Sequence, residues 1–150
     1  MSLQTDIIFV KALRSNADLI QQLPAGDVYN TAIALPEEEV DNAEVPYIIV
    51  SFDGLNDQDS TKDTPYDDLT DMVDIGIVIA AKTRPQVAEL AIMVRNTLRD
   101  YFSLHVSDQQ DEDYELIPNS YKFQAKQVQY DSLKPCYWQQ LVFMCETNPD

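Results

Sequence analysis

The side chains of this chain that could do chemistry are mostly aspartates in one acidic stretch. Four aspartates and one threonine of this stretch follow the offsets 1, 3, 5, 7 and 12 of a calcium-binding loop: Asp57, Asp59, Thr61, Asp63 and Asp68. The match is imperfect, because Lys62 replaces the glycine of the sixth position, aspartate occupies the twelfth and Pro65 interrupts the loop. We therefore interpret the stretch as a solvated acidic loop and expect no bound metal.

A second group of carboxylates, Asp67, Asp68, Asp71 and Asp74, is dense enough for the paired acids of a hydrolase. Such an enzyme would also need a cleft or a metal, and nothing else in the sequence points to either. His105 is the only histidine and has no obvious nucleophile beside it. With three glycines, the chain also lacks a glycine-rich phosphate loop. We expect no catalytic residues, no cofactor and no enzymatic activity.

The two cysteines, Cys136 and Cys145, lie an odd number of residues apart on one predicted strand. They should therefore point to opposite faces of it, which leaves no geometry for a disulfide. With a single histidine they match no zinc spacing, and two free thiols suit a reducing cytoplasm.

The first residues lack a signal-peptide pattern, and the longest apolar run, Ile75 to Ala81, is too short to span a bilayer. We expect a soluble protein that stays where it is made.

Charge is unevenly distributed along the chain, whose formal net charge is −16. Half of the acidic residues fall between Glu37 and Asp74, and a second acidic run spans Asp108 to Glu115. Such a surface repels nucleic-acid backbones and anionic membranes. We interpret the runs as solvated faces; calcium binding, mimicry of DNA and a lining past which DNA slides without sticking remain open.

The pattern of apolar residues predicts one α+β domain over residues 1–150. A first helix should begin near Thr5 or Asp6, either of which could cap it, and Ser15 or Asn16 should cap a short second helix. The predicted strands are Tyr47 to Phe52, Val73 to Ile79, Tyr121 to Tyr130 and Cys136 to Thr147. We expect a mainly antiparallel sheet of four to five strands, with one long helix packed on one face and the N-terminal helices beside it.

The long helix should begin after Thr83, which forms a capping box with Gln86. Its core-facing stripe follows helical spacing: Val87, Leu90, Ala91, Val94, Leu98 and Tyr101. At roughly 100° per residue, Arg95, Arg99 and Ile92 lie along an edge beside this stripe, and Met93 lies on the far side. We predict that these four residues take part in a head-to-tail interface with an acidic surface of a neighbouring copy; ordinary surface scatter is the alternative.

Four segments carry a resemblance to a known family: ADLIQQLPAGDVYNTAIAL, VPYIIVSF, DIGIVIAAKTRPQVAELAIMVRNTL and VQYDSLKPCYWQQLVFMCET. Over roughly Ile7 to Thr147, the chain resembles the tail-completion, or tail-terminator, proteins that join head and tail in the neck of long-tailed bacteriophages and prophages. The shared motifs are hydrophobic patterns without an invariant chemical signature. The acidic loops near 53–71 and 103–120 are longer than the usual pattern.

The resemblance implies a non-catalytic structural protein of the virion tail or neck, present in the bacterial cytoplasm during assembly. It implies self-association into a ring, typically a hexamer, at the head-proximal end of the tail tube. The ring would contact the tail-tube protein and the head connector, and DNA would pass through it without specific binding. No membrane partner is implied. Two alternatives remain: an acidic nucleic-acid mimic that binds a basic host protein, and a small hydrolase that uses the aspartates between Asp67 and Asp74.

Overall fold

A computed structural model describes residues 4–30, 44–57, 71–105 and 120–147 of the chain. The helices of this part are α1 (Thr5–Arg14), α2 (Ala17–Gln21) and α3 (Arg84–His105). Its strands are β1 (Tyr29–Asn30), β2 (Tyr47–Asp57), β3 (Asp71–Ala81), β4 (Ser120–Ala125), β5 (Gln129–Asp131) and β6 (Cys136–Thr147).

The strands form one mixed sheet in the order β1-β2-β3-β6-β4, and β5 also pairs with β6. The short β1 runs parallel to β2, whereas all other pairs are antiparallel. The predicted α+β class is confirmed, with six strands instead of four to five and one parallel pair at the edge. In the β2–β3 hairpin Asp57 lies opposite Asp71, so the most acidic stretch of the sequence connects the two arms of this hairpin.

Side chains alternate between the two faces of the sheet, and the helices cover one of them. On that face Ile75, Ile77 and Ile79 of β3 are fully buried, together with Leu141 and Phe143 of β6. The stripe of α3 joins the same hydrophobic core: Val87, Leu90, Val94 and Leu98 are all fully buried. The predicted stripe is therefore confirmed, because apolar residues at helical spacing present one continuous face to the sheet. On the opposite face Trp138, Val142 and Met144 are half-buried.

Helix α1 differs from the prediction at its first turn. Gln4 occupies the N-cap position and makes no capping side-chain hydrogen bond, while Thr5 and Asp6 lie inside the helix and are buried. The predicted cap is wrong because this end of the helix packs into the core, where burial outweighs the local preference for a polar cap. Phe9, fully buried, packs its ring against Phe102 of α3 at a centroid distance of 5.1 Å.

The other predicted caps are present. Asn16 caps α2 by accepting hydrogen bonds from the backbone N–H groups of Asp18 and Leu19. Thr83 precedes α3, and its hydroxyl accepts from the Gln86 N–H at 3.3 Å. Capping side chains satisfy donors that have no partner within the first helical turn, which explains where both helices begin.

The predicted strand Tyr121 to Tyr130 is divided into β4 and β5. Residues 126–128 leave the regular ladder, although the Lys126 N–H still donates to the Gln140 carbonyl at 2.9 Å. The alternation of side chains seen in Tyr121 and Phe123, which are half-buried, ends at this point, and the following residues 124–127 are exposed. Without an apolar face to bury, this segment has little to hold it in register with β6.

Candidate functional interface on helix α3

Helix α3 exposes two different flanks on either side of its buried stripe. The first, which we call the basic flank, consists of Ala88, Ile92, Arg95 and Arg99, all exposed. The Arg95 guanidinium carbon lies 4.6 Å from the centroid of the Phe123 ring, so this flank faces β4. Ile92 is 61% exposed, an unusual degree for a large aliphatic side chain. The flank therefore combines two positive charges with an apolar group that the core does not use.

The electrostatics of β4 agree with this placement of the arginines. Burial raises the pKa of Tyr121, and the positive charges of Arg95 and Arg99 act in the opposite direction. Arg99 also lies close to its chain neighbour, with 3.5 Å between Arg99 Nε and Asp100 Oδ1. Their side chains are 63% and 68% exposed, and an ion pair so open to water is worth little. Both arginines thus keep their charge accessible at the surface.

The second flank of α3 borders an open groove of about 580 Å³, which we call the α2 groove. It is lined by residues of the α1–α2 connection, α2 and α3: Ser15, Asn16, Ala17, Asp18, Met93, Asn96, Thr97, Asp100 and Tyr101. Asn16 Nδ2 donates to Thr97 Oγ1 at 2.9 Å, and that hydroxyl donates to the Met93 carbonyl at 2.6 Å. Two carboxylates, a thioether and an aromatic ring thus share one concave surface, whose shape is fixed by a hydrogen-bonded chain.

The structure distributes the four predicted interface residues over both flanks. Ile92, Arg95 and Arg99 lie together on the basic flank, as the helical spacing indicates, whereas Met93 lies in the α2 groove. The Met93 sulfur accepts a hydrogen bond from Gln22 Nε2 at 3.3 Å. Sequence reasoning placed Met93 on the far side of the helix but missed the groove. The groove depends on a contact between Asn16 and Thr97, which are 81 residues apart.

The residues considered for metal binding or hydrolysis do not form a site in the described part of the chain. Asp59, Thr61, Asp63, Asp67 and Asp68 lie outside the described residues, as does the His105 side chain. Asp71 and Asp74 are three residues apart on β3, so their side chains point to opposite faces of the sheet. Within 4–30, 44–57, 71–105 and 120–147, no three His, Cys, Asp or Glu side chains are grouped as metal ligands would be.

Both cysteines are buried free thiols on β6, on opposite faces as predicted. Burial, with a smaller contribution from the charge of Asp74, raises the pKa of Cys145 to about 12. Burial and the neighbouring Asp131 also raise the pKa of Cys136. A thiol needs its thiolate form to act as a nucleophile or metal ligand, so neither environment favours reactivity.

The fold of the chain was compared with the folds of solved structures, and its sequence with protein families and curated proteins. No protein-family model matches the chain, and no curated protein is significantly similar to it in sequence. Among solved structures, the chain is similar to one in the virion of a native gene transfer agent particle, with 16% identity and a TM-score of 0.57. The match covers 94% of this chain and 92% of that chain. The two chains therefore share a fold along almost their whole length. Among the described residues no helix has the length and hydrophobicity needed to cross a membrane.

Proposed function

We propose that this chain is a non-catalytic tail-completion protein of a long-tailed phage or prophage. In this role it forms a ring at the head-proximal end of the tail tube, stops growth of the tube and presents a surface to the head connector. The observation that carries the proposal is the fold shared with a chain of a gene transfer agent virion over nearly the full length of both. The resemblance of the sequence to tail-terminator proteins supports the specific role in tail completion.

The distribution of charge supports a ring through which DNA passes. The net charge of −16 disfavours retention of a polyanion, because each phosphate contact to a cationic side chain would hold DNA and oppose its movement. Two basic residues of α3, Arg95 and Arg99, lie on the basic flank, where they suit contact with an acidic protein surface. We propose that Arg95, Arg99 and Ile92 contact the next copy in the ring.

Deletion of the gene from the phage or prophage that encodes it tests the proposed function. Without a terminator the tube should keep growing, so electron microscopy should show tails of abnormal length that are not joined to heads. Supplying the wild-type chain in trans should restore joined particles of normal tail length. Particles of normal length that are joined to heads in the deletion strain would refute a role in tail completion.

A further inference from the structure

We propose that the α2 groove of one copy receives the basic flank of α3 from the next copy. This inference deepens the proposed function, on which it rests, by naming the acidic surface that the basic flank contacts. The groove carries Asp18 and Asp100, and the flank carries Arg95 and Arg99. Charges of opposite sign thus occur in equal number on two surfaces of the same chain, so the two surfaces are electrostatically complementary.

The apolar groups of the two surfaces also match. Ile92 projects from the flank with 61% of its surface exposed. The groove offers Ala17, Met93 and the ring of Tyr101 beside its carboxylates. Methionine adapts its shape to an incoming aliphatic side chain, because its unbranched chain has several rotatable bonds and a polarisable sulfur. An apolar contact next to ion pairs combines the two kinds of interaction found in protein interfaces.

Both surfaces are held in place before binding. The groove is fixed by the hydrogen bonds from Asn16 to Thr97 and from Thr97 to the Met93 carbonyl. On the flank, the guanidinium of Arg95 stacks on Phe123. Preorganised groups lose less conformational freedom when they bind. Arg99 exchanges its exposed neighbour Asp100 for a carboxylate of the next copy, and so gives up only a weak, solvated ion pair.

The geometry of α3 makes this contact heterologous. The basic flank faces β4 and the groove faces α2, so the two surfaces lie on either side of the buried stripe of one helix. A two-fold axis that passed through the basic flank would bring identical flanks together, arginine against arginine. Docking flank to groove instead leaves each pair of copies with one unused flank and one unused groove. Such contacts continue until they close into a ring or grow into a filament.

Charge reversal with rescue tests this docking on the full chain. Arg95→Glu with Arg99→Glu, and separately Asp18→Lys with Asp100→Lys, should each weaken self-association about tenfold or more in sedimentation equilibrium at low salt. A variant with all four substitutions restores opposite charges across the contact and should regain association. Lys82→Glu with Lys126→Glu is the matched control for the arginine pair, because it makes the net charge more negative by the same amount at exposed sites elsewhere and should have no comparable effect. Failure of the four-fold variant to recover, with its fold intact by circular dichroism, would overturn the pairing.

A cross-linking experiment leaves the charges unchanged and tests the same geometry. Ile92→Cys on the flank and Asn96→Cys beside the groove should form a disulfide-linked dimer only when the two variants are mixed and oxidised. Each variant alone should give no such dimer, because the native thiols are buried and like flanks do not meet. Equal cross-linking in the unmixed samples, or none in the mixture at the highest soluble concentration, would overturn the docking.

The two proposals fail in different ways. If deletion of the gene gives long unjoined tails but the Arg95→Glu, Arg99→Glu variant still complements it, the tail function stands and the docking is wrong. If the variant with all four charge substitutions regains self-association but the deletion leaves the virions normal, the docking stands and the tail function is wrong.

Discussion

Replacing Leu90 by alanine should destabilise the protein far more than the same change two residues further along α3. Leu90 is fully buried in the core between the helix and the sheet, whereas Ile92 is 61% exposed. Each substitution removes three carbon atoms, which for a buried group amounts to about 2.4 kcal/mol of transfer free energy. A residual cavity adds to this, so we expect a loss of about 3 kcal/mol for Leu90→Ala, within the usual range for buried leucines. Val94 is also fully buried, and Val94→Ala should lower the free energy of unfolding by about 1.5–3 kcal/mol.

Ile92→Ala is the matched control for this experiment. Because most of its side chain already contacts water, its loss should stay below about 1 kcal/mol. Urea denaturation followed by circular dichroism gives the free energy of unfolding of each variant, and for a domain of this size about 3 kcal/mol should lower Tm by about 6–12 °C. If Leu90→Ala and Ile92→Ala lowered stability equally, the stripe would not form the core and the orientation of α3 would be wrong.

Three further predictions concern the supports of this fold. Asn16→Ala should lower the free energy of unfolding by about 1 kcal/mol or more, because it removes both the cap of α2 and the hydrogen bond to Thr97. Asn16→Asp retains the cap and should lower the free energy of unfolding less in the same urea titration. Gly76→Ala should lower the free energy of unfolding by about 1 kcal/mol in thermal unfolding, because a new Cβ would contact the Asp53 carboxylate and lie 2.9 Å from Ser51 Oγ, and Asp53→Ala in the same chain should recover part of that loss. The pKa of Cys145 is raised from 9.0 to about 12, so the folded state holds this proton more tightly; its contribution to stability is intact below pH 9 and is lost as the pH rises towards 12. Iodoacetamide at pH 8 should label this thiol only after denaturation, and rapid labelling of the native protein in a mass spectrum would contradict its burial.

The sequence predicts those parts of the fold in which a local pattern repeats. The stripe of α3 and the alternation of β3 were recognisable because four or more apolar residues recur at helical or strand spacing. The Asn16 and Thr83 caps were recognisable because capping depends on residues within one turn of each other. The same reasoning failed at Thr5 and Asp6, where packing of the helix end decides.

Non-local features were beyond this reasoning. Phe9 contacts Phe102 and Phe143, which are distant in sequence, and nothing in its own neighbourhood distinguished it from the rest of α1. Ile7 is 40% exposed, whereas its neighbours Ile8 and Phe9 are fully buried. The basic flank could be foreseen from helical geometry alone. Its proposed acceptor could not, because the α2 groove exists only once α2 is placed against α3.

The presence of the flank and the groove as two separate surfaces on one copy has a consequence for counting subunits. A copy whose flank has reversed charge can pair through that flank only with a copy whose groove has reversed charge. The second copy keeps its wild-type flank, which then fits the wild-type groove of the first copy. An equimolar mixture of the two would therefore have to alternate around a ring. Alternation closes only when the number of subunits is even, so a six-membered ring would form from the mixture and a ring of odd number would stay open. Recovery of closed rings would thus report the parity of the assembly without an image of it.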